Sequence, residues 1–186
     1  MFQLTLLDHL RLTFGHVVYR HKAHAQLARI CARRSRWVRA AEALLMAAVA
    51  FTAVAAAFGK GKWFTIAAAV LAGAALVTLL VHLALDLDTS ARTHAACAAR
   101  LWHVRERYRA LLSDLSDGAI DADAARRTRD ALAQELHTIY QDAPPADHGA
   151  FEAAGQAAAD EATLSDEAID LFLPRSLHKV EKPATI

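Results

Sequence analysis

The sequence predicts an all-α protein: a two-pass transmembrane helical hairpin whose helices extend into long cytoplasmic stalks, followed by shorter C-terminal cytoplasmic helices. Three observations lead there. Two long apolar runs, residues 40–58 and 63–85, lie close together in a chain of 186 residues. Only the tetrapeptide GKGK, residues 59–62, separates them. Outside the runs, apolar residues recur at helical steps of three and four, and no segment alternates with the period of a strand.

The runs carry the membrane assignment. Residues 40–58 hold a single charge, Glu42, and residues 63–85 hold none, with His82 their one titratable group. A bilayer core asks for roughly 20 helical residues, and a soluble helix of that length would show a polar stripe. Leu, Ile, Val and Phe each contribute about −0.3 to −0.6 kcal/mol at mid-membrane, so the second run, with eleven of them, amounts to about −3 to −7 kcal/mol. The first has six plus Met46 in an alanine-rich background, about −2 to −4 kcal/mol, and is expected to insert as one arm of a hairpin. It begins too far into the chain, and without a short basic n-region, for a cleaved signal peptide.

GKGK superficially suggests a phosphate-binding loop. That loop needs G-x-x-x-x-G-K-[ST] between a strand and a helix; here Trp63 follows Lys62, and no glycine stands five residues before Gly61. The tetrapeptide reads instead as the hairpin turn, its glycines reversing the chain, its lysines held in water or headgroups, and Trp63 placed as an interfacial aromatic. Residues 10–40 contain no acid, yet include Arg11, Arg20, Lys22, Arg29, Arg33, Arg34, Arg36 and Arg39. The positive-inside rule then puts both termini in the cytoplasm and the turn outside. Cys31 and Cys97 would face a reducing compartment, where small apolar packing is their expected role.

Neither Gly nor Pro interrupts residues 16–58, and only Gly73 falls within 64–117. Each membrane helix is therefore expected to run on into the cytoplasm, the second for roughly 80 Å at 1.5 Å per residue. Gly15 is a candidate break in the first arm. A packing seam is expected from Leu7, Leu10, Phe14, Val17, His21, His24, Ala28 and Cys31 on the first arm, and from Leu101, Val104, Tyr108, Leu111 and Leu115 on the second. Gly118 should stop the second arm and Asp121 cap a third helix to about Tyr140, with Leu132, Leu136 and Ile139 on one face. Asp147 can cap a short alanine-rich helix, and Ser165 a last turn or two ending at Pro174. The expected division is 1–39, a basic amphipathic cytoplasmic helix; 40–85, the hairpin (40–58, 63–85, turn 59–62); 86–178, a cytoplasmic helical region; and 179–186, a disordered tail.

No catalytic constellation is legible. Ser113, Ser116 and Ser165 lack a G-x-S-x-G context. His21, His24 and His103 could approach one another on antiparallel arms, but no carboxylate or cysteine completes a zinc set, and polar members of a packed seam are the favoured reading. Within the membrane, Glu42, Thr78 and His82 are candidates for a pore mouth or for mutual pairing, with snorkelling to the interface as the competing reading for Glu42 and His82. Small residues at four-residue spacing, Ala43/Ala47, Ala68/Ala72 and Ala69/Gly73, allow close helix packing within a hairpin or between copies. Anionic lipids are the expected partners of the arginine collar. Arg105, Arg107 and Tyr108, with Arg129, supply the residue types that grip phosphate and stack on a base; helix-surface ion pairs with Glu106 and Asp130 are the competing reading. Residues 142–170 hold eight carboxylates and no Lys or Arg, complementary to the basic first arm, so this tail is expected either to dock on the arms, within or between subunits, with Phe172 and Leu173 as anchors, or to stay a solvated acidic surface.

Three stretches, LWHVRERYRALLSDL (101–115), RDALAQELHTIYQDAP (129–144) and LSDEAIDLFLPRSL (164–177), together with the order of basic helix, two membrane helices and helical tail, resemble the SLATT proteins, the SMODS and SLOG-associating two-transmembrane effectors. The similarity extends from about Phe14 to Lys179. It implies bacterial antiphage defence: an inner-membrane effector that oligomerises and permeabilises the membrane, encoded beside a nucleotide-second-messenger synthetase, a nucleotide-sensing domain or a reverse transcriptase. A cyclic oligonucleotide is then the implied ligand. No other cofactor, metal or direct nucleic-acid binding is expected. A different class of function, a passive membrane anchor recruiting such a partner, stays open.

Overall fold

The computed structural model describes residues 5–58, 62–145, 169–173 and 175–178. Four α-helices follow one another: α1, Leu6–Phe58; α2, Lys62–Leu85; α3, Leu87–Ser116; and α4, Ala122–Gln141; a 3-10 turn, Arg175–Leu177, lies near the C-terminus. No strand occurs among the described residues, and the chain is all-α, as the spacing predicts. The turn residues Gly59, Lys60 and Gly61, the alanine-rich helix after Asp147, the Ser165 cap and the tail from Lys179 lie outside the described residues.

Gly15 does not break α1, which runs unbroken for 53 residues. The second arm departs from expectation: it is interrupted at Asp86, whose φ is +38°. The cause is local. The apolar run ends at Leu85, and the Asp86 carboxylate accepts from the Thr89 backbone N–H at 3.4 Å, capping a new helix where neither Gly nor Pro is present. The bonds from Asp86 N–H to the His82 carbonyl (3.2 Å) and from Ser90 N–H to the Asp86 carbonyl (3.1 Å) persist across the break, so the helix is kinked rather than turned back. At the far end of α3, Gly118 at φ +68° closes a Schellman motif, with Gly118 N–H on the Leu115 carbonyl and Ala119 N–H on that of Asp114. The Asp121 carboxylate accepts from the Ala124 N–H at 2.6 Å and starts α4.

The chain divides into two compact units, Met1–Leu27 with Thr93–Ile186, and Ala28–Arg92. The first has a conventional core. Leu10, Phe14, Val17 and Val18 of α1 meet Leu101, Val104, Tyr108, Leu111 and Leu112 of α3, and Leu132, Leu136 and Ile139 of α4. Leu10, Phe14, Val17, Leu101, Val104, Tyr108 and Leu111 are the expected seam positions; Val18 and Leu112 add to them, Leu115 is only partly buried and Leu7 is 41% exposed. Ile169, Leu173 and Leu177 join the same core, so the described residues of the C-terminal segment dock on it. Leu173 is an anchor as expected; Phe172 is only partly buried, and Ile169 and Leu177 complete the set. The dock is also electrostatic. Arg11, 3% exposed, pairs with Asp170 and donates to the Leu177 carbonyl, while the Lys22 ammonium lies 4.0 Å from the centre of the Phe172 ring.

The second unit inverts this pattern. Of its described residues only Ser35 and Ala75 are buried, while Leu44, Phe51, Phe58, Trp63, Val70 and Leu83 lie open. None of the most apolar window of α1, and 6% of that beginning in α2, is buried inside the protein. A core helix of a soluble domain would be mostly buried. An apolar surface on this scale needs lipid rather than water around it.

Candidate functional site

The polar groups of the second unit collect near the ends of its apolar runs, on two levels. On the first, His82 Nδ1 lies 3.1 Å from both carboxylate oxygens of Glu42, each side chain being less than a fifth exposed. Two polar groups that would be costly singly in an apolar setting thus satisfy each other, the pairing rather than the snorkelling arrangement. Thr78 does not join them: its hydroxyl donates to the Ala74 carbonyl of its own helix at 2.8 Å.

On the second level, two helical turns away along both arms, the fully buried Ser35 hydroxyl donates to Asp88 at 2.6 Å. Arg39 Nε and Nη2 reach the same Ser35 oxygen at 3.2 and 3.0 Å, and Nη2 also pairs with Asp88. The Ser35 hydrogen bond, with the charges of Arg39 and Arg92, holds the Asp88 carboxyl below the ordinary carboxylate range. This staple was absent from the sequence reading. Its signal was available: once Glu42 and His82 are paired in antiparallel arms, Ser35, seven residues earlier, falls opposite Asp88, six residues later. Below the two levels a cavity of about 700 Å³ is lined by Arg39, Glu42, Ala43, Met46 and Val49 of α1 and Ala72, Ala75, Leu76 and Leu79 of α2. Of the expected small packing residues, Ala43 and Ala72 line this cavity; Ala47, Ala68, Ala69 and Gly73 do not, and a Cβ added at Gly73 would meet nothing within 4 Å.

In the first unit the candidate phosphate-gripping residues are mostly engaged with carboxylates. Arg107 pairs with Glu135, Arg129 with Asp130 at 2.7 Å, and Arg105 Nε lies 3.5 Å from Glu106. Of the two expectations for Tyr108, the seam holds and base stacking does not: it is 0% exposed and offers no ring face to a base. A seam position on α3 packed against α1 and α4 put it in the core. Burial, with Tyr140 and Asp130 nearby, pushes its phenol up to about 12 against the opposing pull of Arg129.

His21 and His24 take the favoured reading, as polar members of the packed seam, and the partner of His24 is His94 rather than His103. His24 Nδ1 lies 3.0 Å from His94 Nδ1, and His21 Nδ1 lies 2.9 Å from the Ala98 carbonyl. His24 and His94 are both buried. Burial, the neighbouring imidazole and Arg20 lower the His24 pKa to about 4, and burial lowers that of His94. The pair is therefore neutral at pH 7, one ring donating its N–H to the other. Burial likewise raises the Cys97 thiol, which packs rather than reacts. Among the described residues no group of three or more His, Cys, Asp or Glu could hold a metal ion.

Two long apolar stretches with almost none of their surface buried inside the protein, tied at one end by an ion pair and hydrogen bonds and continuous in the chain with a well-packed helical body, fit a two-span α-helical membrane protein. The SMODS and SLOG-associating 2TM effector domain family 4 matches residues 6–167, and the chain belongs to that family. It is a family of effector domains associated with antiphage defence systems and not a known catalytic one. The match takes in α1 to α4 and stops short of the docked segment at 169–178. No curated protein and no solved structure matches the chain.

Proposed function

We propose that this protein is the membrane-disrupting effector of a bacterial antiphage system, held at rest until a signal reaches its helical body. The family match and the pair of lipid-facing helices together carry this reading. In this reading it sits in the inner membrane with both termini in the cytoplasm and anionic lipids around the arginine collar, an orientation that the positive-inside rule supports. The signal is a nucleotide second messenger or a partner protein, such as the product of a neighbouring nucleotide synthetase or reverse transcriptase. Arg107 and Arg129, partly exposed on α3 and α4, are the cations a messenger phosphate would take over from Glu135 and Asp130; Arg105, 20% exposed, is secondary. Helix α1 contributes residues to both units, so a change of packing around Phe14 and Val17 is transmitted along an unbroken helix to Glu42. Several copies then assemble, and the hairpins open the membrane.

The test is dye influx into cells on induction. An effector admits a membrane-impermeant dye, and Val70→Arg, which spoils the hairpin, abolishes the influx. A protein that anchors a partner without permeabilising the membrane admits none, with or without infection, and that result would overturn the proposal.

A further inference from the structure

The cavity beside the Glu42–His82 pair has the form of an amphiphile site, and we infer that it holds one acyl chain of a phospholipid whose phosphate rests on Arg39 and Arg36. The inference relies on the membrane-spanning reading of the second unit and goes beyond it by naming a bound lipid.

The walls alternate between helices at steps of three and four: Ala43, Met46 and Val49 on α1, and Ala72, Ala75, Leu76 and Leu79 on α2. Alanines at three of these places hollow the contact, where leucines would fill it. From Arg39 to Val49 the helix rises about 15 Å, half the roughly 30 Å of a hydrocarbon core. The cavity therefore spans one leaflet and ends near mid-membrane.

Its only charged lining residues, Arg39 and Glu42, stand together at one end. Glu42 is committed to His82. Arg39 spends Nε and Nη2 on Ser35 and Asp88, leaving its Nη1 donors for another acceptor, and its side chain is 56% exposed. Arg36, also exposed, lies one turn further out on the stripe that continues through Ala43. Two guanidiniums above an apolar slot match a phosphate above an acyl chain.

Charge also argues against a second copy of this chain as the occupant. A neighbouring hairpin seated here at the same depth would set its Arg33, Arg34, Arg36 and Arg39 against the same four residues, a like-charge contact that α1 has no acid between positions 10 and 40 to relieve, while Asp88 on the other arm is already engaged by Ser35 and Arg39. A phosphodiester relieves it directly.

The test is native mass spectrometry of the full chain extracted in mild detergent and titrated with phosphatidylglycerol, with diacylglycerol of the same chains, and with inorganic phosphate. The expected result is one phosphatidylglycerol per chain, retained when bulk lipid is stripped, with diacylglycerol bound about tenfold more weakly and phosphate not retained. Ala72→Leu and Ala43→Leu, which fill the cavity from opposite walls, should each lower retention by about tenfold with helical content unchanged. Arg36→Gln should erase most of the preference for the phospholipid. Stripping to a lipid-free chain under the same conditions, or full retention by both filled variants, would overturn the inference. So would loss of a dimer, rather than of lipid, on filling the cavity. A failure of the membrane reading is distinct: the chain would then dissolve without detergent.

Discussion

In the core that holds Tyr108, the large apolar side chains Leu10, Phe14, Val17, Leu101, Val104, Leu112 and Leu132 are each 0% exposed. Around Ala75, side chains just as apolar lie open, Phe58 at 90% and Leu44 at 73%. The same helical spacing serves both units, so spacing alone does not distinguish them. What differs is the far face. In the first unit it carries arginines and carboxylates such as Arg107 and Glu135; in the second it carries more Leu, Val and Ala. The solvent of each unit is thus written in its outward face rather than in its seam.

The comparison can be broken most forcefully by moving charge between the faces. Val70→Arg, near the middle of α2, should weaken insertion by about 3 kcal/mol and leave the protein outside the membrane fraction, whereas adding an arginine on the outward face of α4, at Gln134, should leave fractionation unchanged. Next is the cost of truncation. Phe14→Ala should lower the stability of the first unit by about 3–5 kcal/mol in thermal unfolding, and Phe51→Ala should leave that transition in place. Removing one partner of the buried Arg11–Asp170 pair, by Asp170→Asn, should cost about 3 kcal/mol, with replacement of both by apolar residues costing less. Deleting residues 164–186 takes Asp170 and the Leu177 carbonyl away from Arg11 and should change assembly or toxicity; identical assembly and toxicity would show the dock to be passive.

Smaller effects sharpen the picture. The folded His24 pKa, about 4, lies below its unfolded value near 6.5, so the unfolded chain binds more protons between these limits. The stability of the first unit should be full above pH 6.5 and fall by roughly 2 kcal/mol as pH drops toward 4, a loss that His24→Gln with His94→Gln should flatten in pH-dependent melting. Smallest is Ser35→Ala, which leaves Asp88 and Arg39 paired and should cost about 1 kcal/mol.

Much of this was legible beforehand. The two apolar runs, the seam residues Phe14, Val17, Leu101 and Val104, the Gly118 stop and the Asp121 cap each follow from one local rule, and local rules act wherever their residues stand. The kink at Asp86 was missed because its signal is a capping carboxylate without the expected glycine or proline. His94 was missed because pairing with His24 depends on the register of two arms, which no single helix encodes. Tyr108 reads both as a seam residue and as a stacking candidate, and only the seam holds: an aromatic amid arginines looks like a binding face until the packing of α4 covers it. Residues whose roles come from meeting another helix are the hard ones.

Spin labels at Phe51→Cys, Leu80→Cys and Trp102→Cys, each on a Cys31→Ala, Cys97→Ala background in lipid vesicles, test the contrast between the units most directly. All three parent side chains are half exposed or more. The labels at 51 and 80 should collide with dissolved oxygen and be shielded from an aqueous nickel chelate, and the label at 102 should show the reverse. Nickel access at 51 and 80 equal to that at 102 would contradict the membrane assignment on which the account rests.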